Sequence, residues 1–129
     1  MPKKVIATDR APAAVGAYSQ ATVAGGWVFC SGQIAIDPAS GALVEGGAVA
    51  EATQIMTNLE AVLEAAGASF VDVVKCSIFL ADMGDFAAVN EVYAKAFEGM
   101  EPPARACVAV KTLPKNVQVE IEAIAYLGD

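Results

Sequence analysis

"PPARACVAVKTLPKNVQVEIEAIAYL", residues 102–127, sets one arginine and two glutamates among residues otherwise suited to burial. Val108, Val110, Val117, Val119, Ile121 and Ile124 are β-branched, and Leu113-Pro114-Lys115-Asn116 supplies turn chemistry between the two runs. The segment therefore reads as two strands closing the chain as a hairpin. Side chains alternate along a strand, so Arg105 and Cys107 share one face, and Gln118, Glu120 and Glu122 share another. Register decides whether Arg105 meets Glu120: paired positions with an odd sum bring them to one face, and an even sum sends Glu120 to the other. Two readings stay open from the residues alone. The charges are either a solvated rim or the polar groups of a buried pocket.

Working back from this segment, Pro102-Pro103 ends a helix whose stripe is Phe86, Val89, Tyr93, Ala96 and Phe97, with Asp85 placed to cap it. "VVKCSIFLA" (73–81) reads as a buried strand. Ala52, Ile55, Met56, Leu59, Val62, Leu63 and Ala66 recur at steps of three and four over 49–66, and Gly67 follows as a stop, which is a helix with one apolar face. "DPASG" (37–41) is a turn, and Gly25-Gly26 turns a hairpin between 22–24 and 27–30. Val5-Ile6-Ala7 begins the order as a short strand. Consecutive strands at both ends argue against a doubly wound parallel sheet and for an α+β fold, with two helices on one face of a mixed sheet. The other face then needs a cover, and oligomer formation is the simplest.

Composition agrees with that cover. Residues 1–129 form a single domain, but 56% hydrophobic against 18% charged residues is more apolar surface than a small monomer readily hides. Copies of the chain are expected to associate. The uncharged run 11–36 is broken by Pro12, Gly16, Gly25, Gly26 and Gly32, so it is not a membrane span, and no signal-peptide pattern is present. A cytoplasmic protein is expected. With 15 acidic and 8 basic residues, a net charge of −7 and no basic run, nucleic acid is not the expected partner.

Histidine is absent, which removes Ser-His and Cys-His nucleophile pairs and the usual zinc sites. Cys30, Cys76 and Cys107 lie far apart in apolar runs and read as reduced core thiols. Proton transfer must fall to a carboxylate, tyrosine, lysine or cysteine. Arg105, entering a strand behind two prolines, suits a small carboxylate or phosphate, or else an ion pair with a glutamate. Glu120, between Val119 and Ile121, is either a base raised by burial or a solvated carboxylate. Tyr18 in "GAYSQA" caps a pocket or wets a surface. Ser31 and Gly32 in "CSGQ" offer a close backbone approach or mark a strand end or bulge. Asn90, inside the second helix, bonds a neighbouring loop or faces water.

"GAYSQA", "CSGQIAIDPASGALV", "NLEAVLEAAGASFVDVVK" and "PPARACVAVKTLP…VQVEIEAIA" together resemble the RidA/YjgF family of reactive-intermediate deaminases, over nearly the whole chain in order and spacing. The resemblance implies a chorismate-mutase-like α+β fold, a homotrimer with pockets at its subunit interfaces, and hydrolysis of 2-imino acids and their enamines to 2-keto acids and ammonia without metal or other cofactor. It further implies that Arg105 holds the substrate carboxylate, that the Cys107 carbonyl accepts from the imine nitrogen, and that Glu120 orients and deprotonates the attacking water. Tyr18, Ser31, Gly32 and Asn90 would line the pocket. With that resemblance the odd-sum register becomes the favoured one. The chain departs from the family pattern at Ala17, where most relatives carry a proline that would stiffen the Tyr18 loop. The alternatives are a binding or chaperone-like member of the same fold, and an enzyme for another small carboxylate.

Overall fold

The structure is a computed structural model that describes residues 2–128. Six strands, β1 (Lys4–Ile6), β2 (Ala21–Ala24), β3 (Trp27–Gln33), β4 (Val73–Leu80), β5 (Ala104–Ala109) and β6 (Val119–Tyr126), form one sheet in the order β1-β2-β3-β6-β4-β5. Helices α1 (Ala48–Ala65) and α2 (Phe86–Ala96) lie on one face of it. This is the expected mixed α+β sheet.

Local signals account for most elements. Gly25 and Gly26 turn the β2–β3 hairpin at φ 56° and 84°, values that a two-residue hairpin requires and that glycine adopts without steric cost. Helix α1 buries Ala52, Ile55, Met56, Leu59, Val62 and Leu63 as its periodicity predicts. These pack on the inward residues of the strands: Val28 and Cys30, Cys76, Ile78 and Leu80, and Val119, Ile121, Ala123 and Ala125. Burying one such leucine or isoleucine stabilises the fold by about 1.5–3 kcal/mol. β4 alternates buried and less buried side chains, so it is covered on one face only. At α2 the expected Asp85 cap is not made. Asp82 instead accepts from Gly84 N–H (2.8 Å), capping the 3₁₀ turn Met83–Asp85 that leads into the helix.

The closing hairpin is not formed. β5 pairs parallel to β4, β6 pairs antiparallel to β4 on its other edge, and β4 therefore separates them. The physical reason is that β4, α2 and β5 make a strand–helix–strand unit, whose crossover sets its two strands side by side and parallel. The connection 110–118 then spans two inter-strand spacings, about 10 Å, and its 3₁₀ turn Pro114–Asn116 holds Lys115 and Asn116 at φ 56°. β6 inserts between β3 and β4, antiparallel to both.

One buried carboxylate fastens that insertion. Glu51 Oε1, in the first turn of α1, accepts from the N–H groups of Gln118 (2.9 Å) and Val119 (3.1 Å), where β6 begins. Glu51→Ala leaves both donors without their acceptor, the one at Val119 in a buried setting, and is expected to cost on the order of 2 kcal/mol in chemical denaturation, whereas Glu51→Gln keeps an acceptor oxygen and loses less.

The sheet face opposite the helices is uncovered in the chain. Phe29 pairs with Ile124 and Trp27 with Tyr126 across β3 and β6, and Phe79 lies beside Glu120 across β4 and β6. Phe29 remains 45% and Trp27 42% exposed.

Candidate active site

The register places Arg105 opposite Cys76, and Cys76 opposite Ala123. Across the sheet Arg105 thus aligns with Ala123, an even sum, and the favoured odd-sum register is overturned. Arg105 and Cys107 lie on the helix side, while Glu120 pairs with Phe79 and Glu122 with Ser77 on the open side. Neighbouring strands share their pleat, so residues opposite one another face the same way and those one step along face the other. Within one chain the arginine and the glutamate do not meet.

The candidates fall instead into two groups. The first gathers where β5 meets α2. Arg105 Nη1 donates to Asn90 Oδ1 at 2.5 Å, and its guanidinium carbon stands 5.3 Å from the centre of the Phe86 ring and 5.1 Å from that of Tyr93. Asn90 thus bonds neither a loop nor water alone but the arginine. Arg105 is exposed and has no carboxylate partner among the described residues, where the one ion pair is Arg10–Glu64. Cys107 is half-buried, and burial pushes its thiol up despite the opposing field of Arg105, so it is not poised as a thiolate. Its backbone is better placed. Val110 N–H bonds the Leu80 carbonyl, so by the alternation of a parallel strand the backbone groups of Ala106 and Val108 turn toward β4 and those of Cys107 toward the free sheet edge.

The second group surrounds Glu120. Its carboxylate packs against Gly32, where a methyl group would lie 3.0 Å from Cδ and closer still to Oε2. A side chain at position 32 would therefore displace the Glu120 carboxylate, whereas the backbone conformation there does not call for glycine. Ser31 and Gly32 sit where the β3–β6 register shifts, the bulge that the glycine marks in the sequence. Ser31 lies in the strand rather than in a loop, and its hydroxyl donates to the Ser19 carbonyl at 2.6 Å, tying β3 to the segment that carries Tyr18. Tyr18 is 52% exposed, with its hydroxyl 3.4 Å from the Val15 N–H it accepts. A cavity of about 390 Å³ opens beside Tyr18 and Gly32, walled by Ile34, Ile36 and Pro114 with Lys115 also lining it.

Glu120 itself is half-buried and unpaired among the described residues. Desolvation first, and the neighbouring Glu122 charge second, push its carboxyl above the ordinary 4.5. A carboxylate raised in this way and left without a partner has the character of a proton acceptor.

Gln20 is a residue the sequence reading missed. Its buried amide accepts from Thr8 N–H (2.7 Å) and donates to the carbonyls of Thr8 (3.0 Å) and Pro12 (2.7 Å), pinning the segment on either side of the Tyr18 loop. The available signal was one glutamine in a long uncharged run. Among the described residues no cluster of three or more His, Cys, Asp or Glu could hold a metal, and no helix is long and apolar enough to cross a membrane.

The model of the family described as endoribonuclease L-PSP matches residues 8–127. The chain belongs to that family, the RidA/YjgF proteins. It is 54% identical over 127 residues to the protein DfrA of Myxococcus xanthus, covering 97% of this chain and 96% of that protein. It is 52% identical over 126 residues to the 2-iminobutanoate/2-iminopropanoate deaminase of Rattus norvegicus, covering 98% and 91%. Among solved structures, TdcF of E. coli with bound serine superposes with a TM-score of 0.93 at 42% identity, over 97% of this chain and 99% of that one. RidA-family relatives at this identity include several deaminases, which supports deaminase activity within the family while its members differ in function.

Proposed function

We propose that this RidA-family protein hydrolyses 2-imino acids, such as 2-iminobutanoate and 2-iminopropanoate, to 2-keto acids and ammonia. The observation that carries the proposal is Glu120: a half-buried carboxylate, unpaired among the described residues, raised by desolvation and packed against Gly32. An iminium carbon is already electrophilic, so a positioned water and one base suffice. Orientation supplies most of the acceleration, and the base contributes about a further 10²–10⁴.

Arg105 holds the substrate carboxylate through its planar fork. The Cys107 carbonyl at the sheet edge accepts from the imine nitrogen. Glu120 takes a proton from water as its oxygen attacks the iminium carbon, returns that proton to nitrogen, and takes the carbinolamine hydroxyl proton as the C–N bond breaks, the carbonyl forms and ammonia leaves. Tyr18, Ser31 and Gly32 close the far side. Arg105 and Glu120 of one chain face opposite ways. The working pocket therefore pairs the Arg105, Asn90 and Cys107 group of one copy with the Glu120, Gly32 and Tyr18 group of another. In this reading a homotrimer buries the open sheet face and brings the two groups together in a water-poor setting. A small 2-imino or 2-keto carboxylate is the ligand, consistent with a relative that was solved with bound serine.

The test generates 2-iminobutanoate from threonine with a dehydratase, traps the imine with semicarbazide, and follows diversion to 2-oxobutanoate. Diversion that rises in proportion to the added protein is the expected result. No diversion with either imine leaves the family's binding or chaperone-like alternative, which depends on exposed apolar surface and not on Arg105.

A further inference from the structure

We propose that Phe86 and Tyr93, with Asn90 between them, are positioning residues: one stripe of α2 fixes the Arg105 guanidinium in its carboxylate-holding orientation before any ligand arrives. The proposal rests on the reading of Arg105 as the carboxylate clamp. Positions 86, 90 and 93 stand four and three residues apart, one above another on the helix surface. They form a stripe beside the deeply buried Val89 and directed at the edge of β5.

Three contacts from that stripe converge on one side chain. The two rings lie 5.3 and 5.1 Å from the guanidinium carbon, and the Asn90 amide oxygen takes one of its N–H groups at 2.5 Å. An exposed arginine ordinarily samples many rotamers, and ordering it on binding weakens a ligand. Here the rings restrict its tilt and the amide its rotation. Of the five N–H donors of a guanidinium, four remain after the Asn90 bond, enough for a bidentate carboxylate.

Tyr93 shows which part of its side chain the site uses. Its hydroxyl is buried against the Cys76 thiol without the geometry of a hydrogen bond, and so makes no contact that orders Arg105. The ring makes that contact. Phe86 is only partly buried, which leaves its replacement by leucine tolerable to the fold.

Phe86→Leu, Tyr93→Leu and Tyr93→Phe separate ring from bulk. The first readout needs no catalysis: the Arg105 Nε–H resonance in a ¹⁵N-correlated spectrum, assigned by its loss in Arg105→Lys. Ring currents are expected to displace it in the wild type and in Tyr93→Phe, with the displacement reduced in each leucine variant. The second is inhibition by 2-oxobutanoate in the imine-diversion assay. Its inhibition constant is expected to rise about fivefold per lost ring, in KM as well, with kcat within about twofold, and Tyr93→Phe is expected to rescue it. Leucine variants that keep the wild-type resonance position and inhibition constant would overturn the proposal, as would a Tyr93→Phe variant as impaired as Tyr93→Leu. A wild type that hydrolyses no imine but shows the ring-dependent resonance defeats the deaminase reading and leaves the positioning of Arg105 standing.

Discussion

Arg105→Ala is expected to lower kcat/KM for 2-iminobutanoate by at least about 10²-fold, because a charge-assisted bidentate contact to a carboxylate in a water-poor pocket is lost. The loss should be largely in KM, with a further fall in kcat as the imine carbon drifts from the attacking water. Stability should hardly change. Arg105 is exposed on an edge strand and no carboxylate pairs with it among the described residues, so neither a cavity nor an unpaired buried charge is created. Melting temperature and sedimentation measured beside the assay separate loss of the clamp from loss of the fold. Full activity in a folded Arg105→Ala would defeat the assigned role.

Glu120→Gln is the second large effect, a fall in kcat of about 10²–10⁴-fold with KM much less altered, since the amide keeps the shape and loses the base. The wild-type pH profile carries the same information. Glu120 must be ionised to accept a proton, and desolvation holds its carboxyl above 4.5, so activity should fall as pH drops through a value above the ordinary glutamate range. That acid limb should be missing from the residual activity of Glu120→Gln. The stability consequence has the opposite sign from a salt-bridged carboxylate. A raised carboxyl binds its proton more tightly folded than unfolded, so its cost to stability is present above the folded value and is relieved as pH falls toward the unfolded one. Glu120→Gln removes that cost. The variant should match or exceed the wild type in melting temperature near neutral pH and lose the advantage in acid.

Most of the candidate site was legible as residue types. The lack of histidine narrowed the proton carriers to a few groups, and two glutamates in a β-branched run with one arginine behind two prolines pointed to both chemical partners. Gly32 was legible as a bulge, but its neighbour was not: the carboxylate packed against it is that of Glu120, far away in sequence. Glu51 and Gln20 carried no periodic signature, since their hydrogen bonds run to backbone in other parts of the chain.

The sequence by itself determined where the strands and helices lie, which side chains share a face within each, and the chemistry open to a chain with this set of polar groups. Those properties follow from repeats of two and 3.6 residues and from glycine turns, which are local. Only the tertiary structure decided which strand lies beside which. The turn residues at 113–116 suited a hairpin, yet the strand–helix–strand unit set β5 parallel to β4, and β6 entered between β3 and β4 to bury its alternate face under α1. Register across such an insertion is fixed by burial over the whole sheet, and one residue of shift reverses every face. That shift sent Arg105 and Glu120 to opposite sides of the chain.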